Sequence, residues 1–260
     1  MSFLSGLSQS IDMTAYDRFD LARKNLENPH DRFNIGTYKE GSQHLLLKLF
    51  YEPDIAYHEV PFEGYIADVL NEKGITEIQT VGFRALRDKL AVFLKKYPVT
   101  VAFPVSERKR IVWVDTETGE SSQGRYSTYF KAKYKLLPEL LSVADYFGEP
   151  GLSIQIVSMK VSQYKALDGY GKDKKKKATK LDTVPDELLS ITVIKDADDI
   201  RGLLPFKKGE KLTSADISKA LGLRKIPLWK AIKLLTIIEV IAPVGKKGNS
   251  IIYEVINNEE

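Results

Sequence analysis

The chain has 260 residues, room for one large domain or a medium one with a small companion, and is 43% hydrophobic and 28% charged with net charge +4. It has no cysteine, which excludes disulfides and thiolate metal sites, and three histidines are too few for a multi-histidine zinc site. No apolar run reaches the ~18 residues that cross a bilayer, and no basic start leads into a long apolar block, so no membrane partner and a cytoplasmic location are expected.

In chain order, residues 1–35 form a polar arm with a short helix near 15–26, and residues 38–51 read as a helix. Residues 55–60, 65–70 and 75–80 read as three strands joined by the four-residue turns "PFEG" and "NEKG". The stretch 83–97 predicts an amphipathic helix with Phe83, Leu86, Leu90, Phe93 and Leu94 on one side, stopped by Pro98. Residues 99–105 predict a buried strand, 110–120 a strand and turn, 134–147 a helix and 152–164 another strand. This order predicts an α/β domain over 1–194, with a mixed central sheet flanked by helices on both faces.

A basic loop follows at 172–180, "KDKKKKATK", containing Lys174, Lys175, Lys176 and Lys177. Alone, it reads as a solvated loop. Beside a second basic region in the last 60 residues it favours a polyanionic partner. Residues 195–260 predict a separate small domain of three helices and a β-hairpin. "TSADISKAL" is capped by Thr213 or Ser214 and stopped by Gly222, and the next helix has Ile226, Trp229, Ile232 and Leu235 on one side. The segment "RYSTYFKAKYK" at 125–135 interleaves aromatics with lysines, suiting either nucleic-acid stacking or inward packing.

The charges inside the apolar strands matter most. If "NEKG" closes a regular hairpin, Leu70 pairs with Ile75, Val69 with Thr76 and Asp68 with Glu77. The "PFEG" turn then sets Glu59 opposite Ile66. One face would hold Glu59, Asp68, Glu77 and Gln79 among Ile66, Leu70 and Ile75. Like charges opposite one another repel, so a hard divalent cation, Mg2+ or Mn2+, is the expected neutraliser.

A helix, a meander with Asp on its second strand and Glu-x-Gln on its third resembles the PD-(D/E)XK nuclease superfamily, whose restriction-endonuclease-like core runs αβββαβ over residues matching 38–105. "ADV" followed by "EIQ" is most similar to the branch with Gln in the last motif position, as in CoiA-type competence proteins. The resemblance implies that Asp68 and Glu77 bind metal, with the Ile78 carbonyl as a third ligand and Glu40 the candidate to complete the site from the first helix; Glu59, placed on the same face by the strand register, is a further candidate ligand. His44, four residues from Glu40, reads as a packed or helix-surface histidine. Ala67 replaces the signature proline. Gln79 stands where lysine is usual and can only orient water or a phosphate oxygen.

Residues 196–258 resemble a winged helix-turn-helix domain. That implies DNA contact by Arg224, Lys225, Lys230 and Lys233 on the recognition helix and by Lys246 and Lys247 on the wing. The expected function is a metal-dependent DNA endonuclease. The alternatives are a non-catalytic winged-helix regulator with a degenerate nuclease-like domain, and a scaffold that forms a homodimer through the C-terminal unit.

Overall fold

The computed structural model describes residues 13–26, 41–115, 118–169 and 178–256. Glu40 and Lys174, Lys175, Lys176 and Lys177, named above, lie outside the described residues.

Helix α1 (Ala15–Lys24) opens with a capping box in which Thr14 and Asp17 bond reciprocally. Helix α2 (Ser42–Tyr51) follows, with Leu46, Leu47 and Phe50 buried. Strands β1 (His58–Phe62), β2 (Tyr65–Asn71) and β3 (Gly74–Ile78) form an antiparallel meander. The strand expected over 55–60 begins instead as a 3-10 turn, Ile55–Tyr57, because the Asp54 side chain caps the Ala56 N–H at 2.9 Å.

The first hairpin is tighter than expected. Phe62 pairs with Tyr65 across Glu63 and Gly64, both at positive φ, the two-residue turn that suits strand twist. This moves the register by two. His58 pairs with Val69 and Val60 with Ala67, so Glu59 stands opposite Asp68 rather than Ile66. The second hairpin has the expected pairs, Leu70 with Ile75 and Val69 with Thr76. Gly74 is required there: at φ +117°, a Cβ would lie 2.3 Å from the Pro98 carbonyl oxygen, against which Ile75 N–H bonds at 2.9 Å.

Helix α3 (Phe83–Phe93) leads into β4 (Val99–Val114), which runs parallel to β3. The strands expected at 99–105 and 110–120 are this one strand, bulged between Ser106 and Arg108 where the polar run "SERKR" hides its continuity. Short strands β5 (Ser121–Gln123) and β6 (Ser127–Thr128) pair with its second half. The helix expected at 134–147 is mostly 3-10 turns around the short α4 (Leu137–Leu140). Strand β7 (Leu152–Ala166) lies parallel to β4, and β8 (Thr179–Ile194) antiparallel to β7. The sequence reading missed β8. It contains Pro185, Asp182, Asp186 and Glu187, and is accommodated by three register shifts against β7.

The sheet order is β1-β2-β3-β4-β7-β8. Alternation along β4 and β7 separates two cores. Val99, Val101, Phe103, Ile154 and Ile156 pack under α3. Ala102, Val157, Met159 and Val161 pack with Ile78 under α1 and α2. The fold is therefore mixed α/β, with a large mixed sheet covered on both faces.

After β8 come α5 (Ala197–Leu203), β9 (Lys211–Thr213), α6 (Ser214–Leu221), α7 (Lys225–Ile237), β10 (Ile241–Lys247) and β11 (Ser250–Val255), with sheet order β10-β11-β9. Thr213 caps α6 in a capping box with Asp216, and Gly222 ends it at φ +70°. The core here joins that of the α3 face through Leu136, Leu140, Leu234 and Leu235. The expected stripe on α7 holds in its second half, where Leu235 is buried and Ile232 packs against the core beside the buried Ala231 and Leu234; Ile226 and Trp229 are instead 69% and 58% exposed.

Candidate active site

Strands β2 and β3 pair only near their turn; the ladder ends at Val69 and Thr76. One step further, side chains replace main-chain acceptors. The Ile78 N–H donates to Asp68 Oδ2 at 2.7 Å, and the Asp68 N–H to Glu77 Oε1 at 3.3 Å. Each carboxylate thus lies in the fork where the strands part, and satisfies an N–H that the parting leaves without a carbonyl.

Helices on opposite faces of the sheet close on this fork. From α2, His44 Nε2 approaches Asp68 Oδ2 to 3.2 Å. From α3, Lys89 Nζ donates to Glu77 Oε2 and to the Ile66 carbonyl, both at 2.7 Å. The single shared face expected from sequence is replaced by this arrangement: Asp68 is braced from the α2 side and Glu77 from the α3 side.

Glu77 is only 2% exposed. Burial, and then the charge on Asp68, push its pKa up to about 7 despite Lys89 and the Asp68 N–H. Burial acts on Asp68 in the same direction. There the His44 hydrogen bond and charge, the Ile78 N–H and Lys89 together outweigh it and hold the carboxyl below its ordinary range. Near neutral pH one acid is ionised and the other is poised between states.

Gln79 turns away from the fork, its Nε2 donating to the Val81 carbonyl at 2.5 Å. Glu59 is engaged by the buried Lys48 at 3.0 Å, with its own φ at +52°. Ile78 contributes its N–H to Asp68. Among the described residues, no group of three or more His, Asp or Glu side chains has metal-holding geometry. Asp68 and Glu77 are hard oxygen donors of the kind Mg2+ and Mn2+ take.

Lys89 is the residue that sequence reasoning missed. It lies twelve positions beyond Glu77, on a helix whose apolar spacing was read for core alone. The available signal was its place beside Leu90 and three after Leu86, at the edge of the sheet-facing stripe, where a lysine stem can cover apolar surface while its ammonium reaches a buried acid.

The basic residues expected to meet DNA lie on the C-terminal unit. Arg224 is the N-cap of α7, Lys225 follows at φ +53°, and Lys233 stacks over the Trp229 ring at 5.2 Å. Lys246 and Lys247 pair with Ile251 and Ser250 at the hairpin tip. All of these are exposed; Lys230 is half-buried. The aromatic segment at 125–135 divides, with Tyr134 buried while Tyr129 and Phe130 face out.

Residues 41–195 match the family described as Domain of unknown function (DUF8091), more than half of the chain. The protein belongs to this family. Among curated proteins it is 31% identical over 144 residues to an "Uncharacterized protein" of Treponema pallidum (strain Nichols), covering 55% of this chain and 57% of the relative. No solved structure matches. The DUF8091 region contains the whole fork and ends one residue after β8.

Proposed function

We propose that the protein is a DNA-processing phosphodiesterase, in which a restriction-endonuclease-like domain carries the Asp68–Glu77 site and a winged-helix unit binds DNA. The observation that carries this reading is the fork: two carboxylates from adjacent strands, with Lys89 2.7 Å from one of them. The element order supports it. Helix α2, the antiparallel strands β1 to β3, helix α3 and the parallel strand β4 follow the αβββαβ order of the resemblance. The charge that Gln79 lacks is supplied beside Glu77 by Lys89, from the next helix.

The donor chemistry of Asp68 and Glu77 fits Mg2+ or Mn2+, which would supply an activated water and charge neutralisation when bound. The remaining work falls to the chain. His44 and the Ile78 N–H hold Asp68 ionised and oriented. Glu77 must release its proton to act as a ligand, so metal affinity should rise with pH through about 7. Lys89 offers a fixed positive charge to a phosphate oxygen. In the C-terminal unit, α7 and the β10–β11 hairpin present Arg224, Lys225, Lys246 and Lys247 as a recognition helix and wing would.

The test is incubation with plasmid DNA and Mg2+ or Mn2+. The wild type should nick or linearise it, and Asp68→Ala and Glu77→Ala should each lower the rate by about a thousandfold. Cleavage untouched by both substitutions would end this reading. Glu77 already meets two N–H donors and no three-acid group is present among the described residues, which favours a second reading: a winged-helix DNA binder without catalysis. It predicts salt-sensitive DNA binding and no cleavage with either metal.

A further inference from the structure

A cavity of about 620 Å³ lies between the main sheet and the C-terminal unit, within the size range of small-molecule sites. Its walls come from the loop after β3, the middle of β4, the segment before α4, and the link between α6 and α7. Phe103, Val105, Ala132 and Leu223 give it an apolar floor. Three cationic side chains line it: Lys109, Lys135 and Arg224. Lys109 is half-buried and lies 5.4 Å from the centre of the Tyr129 ring, itself a wall residue with about half its surface exposed.

The charge of this cavity is unbalanced. Among the described residues, neither Lys109 nor Lys135 has a carboxylate within ion-pair distance. The one acid on the wall, Glu139, is held by the main-chain N–H groups of Gly82 and Phe83 at the start of α3, at 3.0 and 3.4 Å. Burial, and then the neighbouring charges of Lys135, Lys165 and Lys180, lower the Lys109 pKa. Several cations crowded around one concave, partly apolar site repel one another unless an anion joins them.

We infer that this cavity binds a nucleotide, its phosphate held by Lys109 and Lys135 and its base against Tyr129 and the apolar floor. The volume far exceeds what inorganic phosphate fills, and an exposed aromatic ring beside cations suits a base attached to a phosphate. The nucleotide is either free or the terminal unit of a single strand; the chemistry recognised is the same. The site is separate from the Asp68–Glu77 fork and does not depend on catalysis there.

The experiment is calorimetric titration of the full chain with adenosine 5′-monophosphate, a 5′-phosphorylated oligothymidylate, adenosine and inorganic phosphate. The expected result is binding of one or both phosphorylated nucleotides, tighter than either adenosine or phosphate alone and weakened by salt. Saturation by the monophosphate assigns a free nucleotide; saturation by the oligonucleotide alone assigns a strand end. Lys135→Gln, an exposed change, and Lys109→Gln should each weaken binding about tenfold or more while melting like the wild type. The inference is overturned if neither phosphorylated probe binds at about 1 mM. It is equally overturned if adenosine binds as well as its monophosphate, or if a folded Lys135→Gln binds unchanged.

Discussion

The fork and the basic cavity treat charge in opposite ways. In the fork each carboxylate accepts a main-chain N–H and a side-chain donor, so the acids are part of how β2 and β3 come apart. In the cavity Lys109 and Lys135 have no carboxylate partner among the described residues. On the proposed function, chemistry and stability would be joined at the fork, and on the inference above they would be separable in the cavity. A substitution at the fork should then change both, whereas one in the cavity should change ligand binding alone.

The strongest way to break this contrast is at Lys89. Lys89→Met leaves Glu77 buried beside Asp68 without its cation. A fully buried pair broken in this way loses about 3–5 kcal/mol. Lys89 is partly exposed and Glu77 can take up a proton, so about 2 kcal/mol is expected in urea unfolding, together with a loss of cleavage. Lys135→Gln should unfold within about 0.5 kcal/mol of wild type. Equal stability of the two variants would show that the fork is not held by its ion pair.

Next comes pH. The folded pKa of Glu77, about 7, lies above its ordinary 4.5, so the folded state binds this proton more tightly than the unfolded state. The stabilisation is complete below about 4.5 and is lost as pH rises through 7. Glu77→Gln cannot ionise and should lack that slope. Its Tm relative to wild type should rise by about 5–10 °C between pH 5 and pH 8. Asp68 has the opposite sign. Its lowered pKa contributes stability above the ordinary 3.8 that is lost as pH falls through the folded value. Asp68→Asn should therefore cost most near neutrality and least in acid. If, for both variants, the difference in stability from wild type does not change with pH, the fork leaves its acids unperturbed.

These effects rest on residues of unequal legibility. The β2–β3 hairpin was readable because "NEKG" and the alternation around it fix the register locally, which sets Asp68 beside Glu77. The β1–β2 register was not, because it depends on Glu63 accepting a positive φ, which no composition rule predicts. Strand β8 was hidden by Pro185 and by acids whose partners are remote: Asp186 meets Tyr126 and Ser162, each at 2.8 Å. Ile226 and Trp229 fit the same helical stripe as Ile232 and Leu235 and read as core, yet at this end of α7 they face out. Lys89 is a tertiary fact: its importance appears only once α3 lies over Glu77.

The smallest expected effect is the most informative about roles. The proposed nuclease reading sets Gln79 at a position where a charged side chain is usual, whereas its amide nitrogen is engaged by the Val81 carbonyl at the turn before α3. Gln79→Ala removes that loop contact and nothing that braces Asp68 or Glu77. Cleavage should stay within about threefold of wild type and stability within about 0.5 kcal/mol. Lys89→Met, two turns along the following helix, should lose both. If the pattern reverses, with Gln79→Ala inactive and Lys89→Met active, the amide leaves Val81 when substrate binds, and Lys89 serves only to neutralise a buried acid.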